Sequence, residues 1–168
     1  PYGYTDRTNL ITLDKLEAGK ISTIKLKVLK YNFPRIRNLP NRVICEDKHG
    51  KIDIVFFNSR EGYIRKVLPL QSNVIISGKV QTYKGKFQIN NPEYISKIDE
   101  LSKVNKMIPK YNLTEGITEK TYNRIISQVL ENIPNIEEWY DKKLISNLNL
   151  KDWNTSITKL HDPNTNKK

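Results

Sequence analysis

The sequence predicts a mainly β fold with α-helices, in which a five-stranded barrel is followed by a small helical segment. Two observations predict this class. Apolar and polar residues alternate before residue 57 and again after residue 73, as they do in strands, and a stretch with helical spacing separates the two regions. From residue 99 onward the apolar residues recur at helical spacing. The predicted organisation is a lead-in segment over 1–20, the barrel over 21–98 and a helical connector over 99–168.

Three strands are predicted before the first helix. In the first, Ile24, Leu26 and Val28 alternate with lysines, so that one face is buried and the other is basic. Proline and glycine mark the connections that follow. The predicted segments, in chain order, are a strand from residue 24, a loop over 31–41, a strand over 42–46, a turn over 47–50 and a strand over 51–57.

One helix and two further strands complete the predicted barrel. The helix covers 59–68, and Pro69 ends it. Strands over 73–80 and 87–89 flank a turn that contains Gly85. Three strands, a helix and two strands is the element order of the OB-fold barrel. A small β-sandwich is the alternative, and the helix between the third and fourth strands argues against it.

Three helices are predicted in the connector. Thr118 caps the first, which runs from Glu119 to about Asn132 with Ile125, Ile126, Val129 and Leu130 as its apolar stripe. The other two are assigned from their apolar spacing. They are a helix over 136–148, with Trp139, Leu144, Ile145 and Leu148 facing inward, and a short helix that carries Trp153, Ile157 and Leu160.

Positive charge is concentrated in the barrel segment. The chain has 29 basic and 18 acidic residues, a net charge of +11, which favours a polyanionic partner. A composition with 22 Lys, 21 Ile, 18 Asn and one Ala is typical of AT-rich coding sequence, so the position of the charge is more informative than its total. Residues 1–98 hold 18 basic and 8 acidic residues and six of the seven arginines, whereas 99–168 hold 11 and 10. Residues 1–98, which contain the predicted barrel, are therefore the predicted nucleic-acid surface.

Several classes of protein are not expected. The single cysteine, Cys45, forms no internal disulfide and is predicted to lie in the core. No apolar run approaches the ~18 residues of a membrane span, no signal peptide opens the chain, and the start at Pro1 indicates a piece of a longer protein. Three Gly-Lys pairs lack the following Ser or Thr of a phosphate-binding loop, and His49 and His161 have no triad or ligand spacing. No catalytic, cofactor-binding or metal-binding residue is predicted, and this segment alone is not expected to hydrolyse ATP.

The predicted DNA-binding residues lie mainly on two loops. An OB barrel binds its ligand across the second and third strands, between the loops that join strands 1–2 and 4–5. Cations there hold phosphates and aromatic rings stack on bases. The alternative is that these loops are merely basic and solvated. The candidates are Lys30, Arg35, Arg37 and Arg42 in and around the first loop, which also holds Tyr31 and Phe33, and Tyr83, Lys84 and Lys86 in the second.

Two further aromatic residues are candidate stacking platforms. Strand parity buries Phe56 and turns Phe57 outward, where it either stacks on a base or covers the following helix. Tyr63, on that helix, is either a second platform or a packing residue.

Short motifs in order along the whole chain resemble the wedge domain of the RecG family of DNA helicases. The matching strings are PYGYTDRT at 1–8 (family P-x-x-Y-x-D-R-T), GKIDIVFFN at 50–58 (ending F-F-N), GKV at 78–80, NPEY at 91–94 (H-P-E-Y), YNLTEGI at 111–117 (Y-P-L-T-E-G-L) with Lys120, Thr121 and Arg124 after it, and LHDP at 160–163 (L-H-x-P). Asn91 replaces the usual His, with little expected loss. The two helicase lobes of the family, with their nucleotide site, are absent from the sequence.

The resemblance implies a branched-DNA-binding module. In this family the wedge docks at forks and four-way junctions and splits their arms while the motor pulls duplex, so that branches migrate and forks regress. Phe57 is then the favoured stacker and Tyr63 a second one, whereas His161 is expected to contact the motor. The implied partners are branched DNA and the chain's own motor domains. The implied protein is a monomer of the bacterial cytoplasm, associated with the nucleoid and not with a membrane, and ATP and Mg²⁺ are implied for the whole protein only.

Two other functions remain open at this level. A sequence-tolerant OB protein for single-stranded nucleic acid would prefer oligonucleotides to junctions. A protein-docking module would use the near-neutral helical segment and would leave apolar surface exposed.

Overall fold

The computed structural model describes residues 1–36 and 39–163. The chain forms two compact units. The barrel unit comprises residues 7–106, and the helical unit comprises residues 1–6 together with the chain from Met107 onward. The strands are β1 (Gly3–Asp6), β2 (Leu10–Ile11), β3 (Ile21–Asn32), β4 (Asn41–Asp47), β5 (Gly50–Phe56), β6 (Asn73–Tyr83), β7 (Lys86–Asn90), β8 (Tyr94–Lys97) and β9 (Met107–Lys110). The α-helices are α1 (Glu61–Val67), α2 (Leu101–Val104), α3 (Glu119–Glu131), α4 (Lys142–Asn147) and α5 (Trp153–His161).

A closed barrel of five strands forms the centre of the first unit. Its strands neighbour one another in the order β3-β4-β5-β7-β6, and β6 pairs back with β3 to close the ring. Strand β5 runs parallel to β7, and the other barrel pairs are antiparallel. Helix α1 connects the third barrel strand to the fourth. This confirms the predicted five-stranded OB-fold barrel, to which β2 and β8 add short edge strands that the sequence analysis did not include.

Strand β3 is long because it contributes to both sides of the closed barrel. Its first part pairs with β6 from Ile21 to Lys27, and its second part pairs with β4 from Lys27 to Asn32. The register of the β3–β4 pair shifts between Val28 and Lys30, as it does at a β-bulge. Tyr31 and Asn32 therefore belong to the strand, although they were predicted to lie in the loop.

The barrel core is built from the alternating residues that the sequence pattern marked as inward. Ile24, Leu26 and Val28 of β3 are each at most 1% exposed. Ile64 of helix α1 and Leu68, the residue that follows this helix, close one side of the core and are both fully buried. Cys45 is also fully buried, which confirms its prediction as a core residue, and burial raises the pKa of its thiol to about 12. At that pKa the thiol is not a nucleophile at neutral pH.

In the helical unit, the first predicted helix is confirmed and the second is largely wrong. Thr118 caps α3, its Oγ1 accepting a hydrogen bond of 3.2 Å from the backbone N–H of Thr121. The helix predicted over 136–148 is reduced to α4, which begins after Asp141. Trp139 lies outside it and is 82% exposed, so it does not face inward as predicted. The apolar spacing there has no core to pack against among the described residues of this unit.

The remaining apolar positions of the helical unit are also only partly covered. Helices α3, α4 and α5 contain no fully buried residue. Ile125, Val129, Leu144, Leu148, Trp153 and Leu160 are exposed, whereas Ile126, Leu130, Ile145 and Ile157 are half-buried. None of the helices in the described part of the chain is long and apolar enough to cross a membrane.

Candidate nucleic-acid interface

Phe57 stands at the outer end of the third barrel strand. Phe56, the last residue of β5, is 4% exposed and belongs to the core, whereas Phe57 is 44% exposed. Strand alternation turns the two neighbouring rings in opposite directions, as predicted. Asn58 follows with φ at 57°, a left-handed conformation that asparagine tolerates better than most residues and that ends the strand sharply. The ring of Phe57 is therefore available to a ligand.

Tyr63 lies on the solvent side of α1. Its ring is 55% exposed, while the next residue, Ile64, is fully buried. The helix period places these neighbours on different faces, so Tyr63 is not a core packing residue. It lies six residues beyond Phe57, on the element that follows the strand end.

The second predicted loop brings an aromatic ring and cations together on the outer face of the barrel. Tyr83 and Lys86 are paired residues at the end of the β6–β7 hairpin. Lys84 and Gly85 form its turn with φ of 48° and 74°, the pattern of a type I′ turn. Tyr83 is 48% exposed, and Lys84 Nζ lies 5.5 Å from the centroid of its ring. Lys84 and Lys86 are both exposed.

Arg42 joins this group from the second barrel strand. Its guanidinium lies 5.7 Å from the Tyr83 ring centroid, and its Nη1 is 3.2 Å from Asp53 Oδ2 on β5. In the ladder Arg42 is opposite Val55, two residues before Phe57. Arg42, Tyr83 and Lys84 thus share the face across strands two and three on which OB barrels bind their ligands. Asp53 neutralises part of this charge, a contribution that the sequence analysis did not identify.

The first loop differs from its prediction. The Tyr31 and Phe33 rings, expected to be available to bases, are half-buried and stack on each other with centroids 5.0 Å apart. Arg65 of α1 lies 4.8 Å and 5.0 Å from these two rings. The Tyr31 hydroxyl donates to the Leu68 carbonyl at 2.7 Å, so these rings fasten α1 to the barrel. The position of Arg65 within the predicted helix does not by itself indicate that it contacts these two rings.

The cations of this first region remain at the surface where they are described. Lys30 and Arg35 are exposed. Arg37 lies outside the described residues. Lys30 and Arg35 thus retain solvent-accessible charge.

Arg7 contributes nothing to the basic surface. It is 2% exposed, its Nη1 donates to Ser77 Oγ at 2.8 Å, and its Nη2 forms an ion pair with Glu93. The Tyr94 ring centroid lies 4.8 Å from its guanidinium carbon. One of the six arginines counted toward the predicted binding surface is therefore a structural residue, because a buried guanidinium needs a charged and hydrogen-bonding partner.

His161 and Tyr111 form a small polar cluster within the helical unit. The two side chains are joined by a hydrogen bond of 2.7 Å between Tyr111 Oη and His161 Nδ1. Burial lowers the pKa of His161 and raises that of Tyr111 to about 12. Both shifts favour the neutral forms of the two side chains, and which of them donates depends on the tautomer of the imidazole. His161 fastens α5 to the chain after β9, and its predicted contact with a motor domain stays a prediction.

Comparison with known proteins identifies the family. The model of the RecG wedge domain matches residues 1–136 of the chain. The chain belongs to the RecG wedge family. It is 27% identical over its whole length to the ATP-dependent DNA helicase RecG of Synechocystis sp. and 28% identical over 97% of its length to that of Staphylococcus epidermidis. It spans 22% and 24% of the length of these two relatives.

A solved structure supports the fold of this RecG wedge chain. A structure of RecG bound to a three-way DNA junction matches it with a TM-score of 0.80 at 22% identity, covering 96% of this chain and 22% of that one. At this identity the likeness shows the fold, with the barrel and its connector.

The RecG motifs of the chain meet in space. The arginine of the DRT motif pairs with the glutamate of the NPEY motif, through the Arg7–Glu93 contact. The glycine of the GKV motif lies against the same segment, because a Cβ at Gly78 would be 2.7 Å from Ile89 Cγ2 and 3.2 Å from Pro92 Cα. These three wedge motifs therefore pack against one another within the barrel unit.

Proposed function

We propose that this chain is the branched-DNA-binding wedge of a RecG-type ATP-dependent DNA helicase that acts in recombination, repair and the regression of stalled forks. Family membership supports it, as does the likeness to a RecG chain in complex with a three-way junction. The single observation that carries it is the position of Phe57, an exposed ring at the end of a strand whose preceding residues are buried in a closed barrel.

Stacking is the proposed means by which the wedge holds a branch open. Opening a base step costs a few kcal/mol, and a base stacked on an aromatic side chain regains about 1–3 kcal/mol. Phe57 provides this surface at the branch point, and Tyr63 is the proposed second platform. A rigid barrel is suited to the task, because a ring that is already positioned loses little entropy on binding.

Phosphate binding is the proposed role of the loop cations. Lys84 and Lys86 extend from a tight hairpin, and Arg42 lies beside the Tyr83 ring on the face between the loops. The remaining proposed phosphate ligands are Lys30, Arg35 and Arg37. Such contacts are independent of sequence and weaken with salt, so they supply affinity for any DNA and leave preference for branches to the aromatic rings.

The motor activity belongs to the whole protein in this proposal. The chain spans about a fifth of the curated relatives, and ATP, Mg²⁺ and translocation along duplex are assigned to the remainder of such a protein. The proposed partners of the wedge are branched DNA and its own motor domains. We further propose a monomer associated with bacterial DNA in the cytoplasm.

A titration without ATP tests the proposal. The chain is titrated against a three-way fork, a linear duplex of the same length and a single strand, each at two salt concentrations. Tighter binding to the fork that persists at the higher salt is expected. Equal and strongly salt-dependent binding to all three would overturn the claim that this wedge recognises branches. Preference for the single strand would favour the general OB protein instead.

A further inference from the structure

Two asparagine side chains hold the turn that carries Phe57. The backbone N–H of Phe57 donates to Asn91 Oδ1 at 2.9 Å. Two residues later, the Ser59 carbonyl accepts a hydrogen bond of 2.9 Å from Asn41 Nδ2. The turn between β5 and α1 is thus fastened on both sides of Asn58, by Asn41 at the start of β4 and by Asn91 after the end of β7.

Asn91 is itself fixed to the barrel. Its backbone N–H donates to the Val55 carbonyl at 2.8 Å, which continues the pairing of β7 with β5. Its φ is 41°, in the left-handed region, and this conformation follows directly on the end of β7. The next residue, Pro92, packs over Gly78. The backbone of Asn91 is therefore held in place, and its exposed side chain accepts the Phe57 hydrogen bond from that position.

Asn41 is similarly well placed. It is the first residue of β4 and lies opposite Phe56 in the ladder. Its amide reaches across the strand end to the carbonyl of Ser59, and the residue is half-buried. Since it also closes the first loop, it connects the loop that bears Arg35 to the turn that bears Phe57.

The geometry points to Asn91 and Asn41 as positioning residues that hold the Phe57 ring in its outward direction. The inference rests on the proposed function, since it assigns these two amides the task of keeping the stacking platform rigid. Neither side chain needs to touch DNA. An exposed aromatic ring on a loose turn would sample many directions and would lose that freedom on binding, which lowers affinity.

Amide hydrogen exchange tests, without DNA, the clamp that the Asn91 side chain forms on the backbone N–H of Phe57. Asn91→Gly tolerates the left-handed backbone and lacks the acceptor, whereas Asn91→Asp keeps an acceptor in the same place. In Asn91→Gly the exchange rate of the Phe57 amide is expected to rise about threefold to tenfold, the value of one hydrogen bond, and Asn91→Asp is expected to restore protection. Unchanged exchange in Asn91→Gly would overturn the clamp. The control is Asn73→Ala, an exposed asparagine at the start of β6.

The ratio of fork affinity to duplex affinity tests the positioning role. Asn91→Gly and Asn41→Ala are expected to lower this ratio part of the way toward that of Phe57→Ala, and Asn91→Asp to restore it. Because the ratio cancels effects common to both DNAs, the charge of the aspartate does not obscure the result. Faster exchange with an unchanged ratio would overturn the positioning role alone. A wild-type chain that shows no fork preference would overturn the proposed function, and the positioning role with it, while the exchange result still reports on the clamp.

Discussion

At the scale of single residues, the exposed ring of Phe57 and the buried guanidinium of Arg7 have opposite roles. One leaves 44% of its surface to solvent although it is apolar, and the other is 2% exposed although it is charged. Buried charges persist where they are paired, and isolated exposed apolar groups are common. The exposed ring gains significance here from its place at a braced strand end.

Replacing Phe57 by alanine is predicted to reduce fork binding selectively. The loss of a stacked base corresponds to about 1–3 kcal/mol, while contacts to phosphates are retained. Equilibrium titration with fork and duplex measures both affinities. Equal loss on the two DNAs would show that Phe57 is a packing residue. Trp139→Ala, which removes an exposed ring from the helical unit, is the control and is expected to leave the ratio unchanged.

The outward direction of Phe57 could be predicted from the sequence and the role of Arg7 could not, because strand alternation is a local pattern whereas the contacts of Arg7 are distant in sequence. The alternation of a strand is local, so Phe56 and Phe57 could be assigned to opposite faces from their numbers alone. The partner of Arg7 is 86 residues away, and nothing near position 7 indicates that its charge is neutralised. The brace from Asn91 to Phe57 was likewise invisible, because it depends on how two strand ends meet.

At the scale of elements, β6 and the segment after β7 approach each other closely at Gly78. The five barrel strands and α1 were predictable because each has a clear period and is bounded by turn residues. Strands β1, β2, β8 and β9 were not predicted, since they have at most four residues and mixed polarity. The helix predicted over 136–148 was too long, the opposite of an element that is missed. Apolar spacing indicates a helix face whether or not a partner is there to bury it.

Two glycine substitutions are predicted to change stability in opposite directions. Gly78→Ala places a methyl group 2.7 Å from Ile89 Cγ2 and against the backbone of Pro92, so it should lower the free energy of unfolding by about 1–3 kcal/mol. Gly62→Ala lies within α1, where the new Cβ meets no described atom within 4 Å beyond its chain neighbours and the backbone of the helix itself, and it should raise the free energy of unfolding by about 0.5–1 kcal/mol. Urea denaturation of both variants measures the difference. If both substitutions changed the free energy of unfolding in the same direction, close packing at Gly78 would not explain the result.

The Tyr111–His161 pair predicts a pH dependence for the helical unit. The pKa of His161 is lower in the folded chain than its ordinary value of 6.5, so the unfolded chain binds more protons. Stability is therefore full above about pH 6.5 and falls as the pH drops below that value toward the folded pKa. Thermal unfolding near pH 7.5 and near pH 5.5, followed by circular dichroism, is expected to show a lower Tm at the acidic pH. His161→Gln should reduce the difference in Tm between the two pH values. An unchanged difference in that variant would show that other groups cause the pH dependence.

At the scale of the whole molecule, charge and apolar surface are divided between the two units. The barrel segment carries the excess of basic residues, while the helical unit leaves much of its apolar surface uncovered. The charge division was predictable from counts along the chain, although counting overstated it by including Arg7. The uncovered surface agrees with the expectation for a docking module, and what covers it stays a prediction.

The position of charge, and not its total, is predicted to determine salt sensitivity. Lys84→Gln with Lys86→Gln should weaken fork and duplex binding alike and reduce the slope of log affinity against log salt by about 1 for each lysine that contacts a phosphate. Lys142→Gln with Lys143→Gln makes the same change in net charge on α4 and should leave the slope nearly unchanged. Titrations at several salt concentrations give the slopes. Equal slopes for the two double variants would indicate that the hairpin does not contact DNA.

The pairing of β1 with β9 determines how the chain bears tension. These strands are antiparallel from Gly3 opposite Lys110 to Asp6 opposite Met107, and the Arg7 N–H donates to the Lys106 carbonyl at 3.2 Å where the barrel begins and ends. Residues 7–106 are therefore an insertion whose two ends meet. A pull applied on either side of that insertion is resisted first by the hydrogen bonds of the β1–β9 ladder. Under such a pull the β1–β9 ladder is expected to break before the strands of the barrel are loaded.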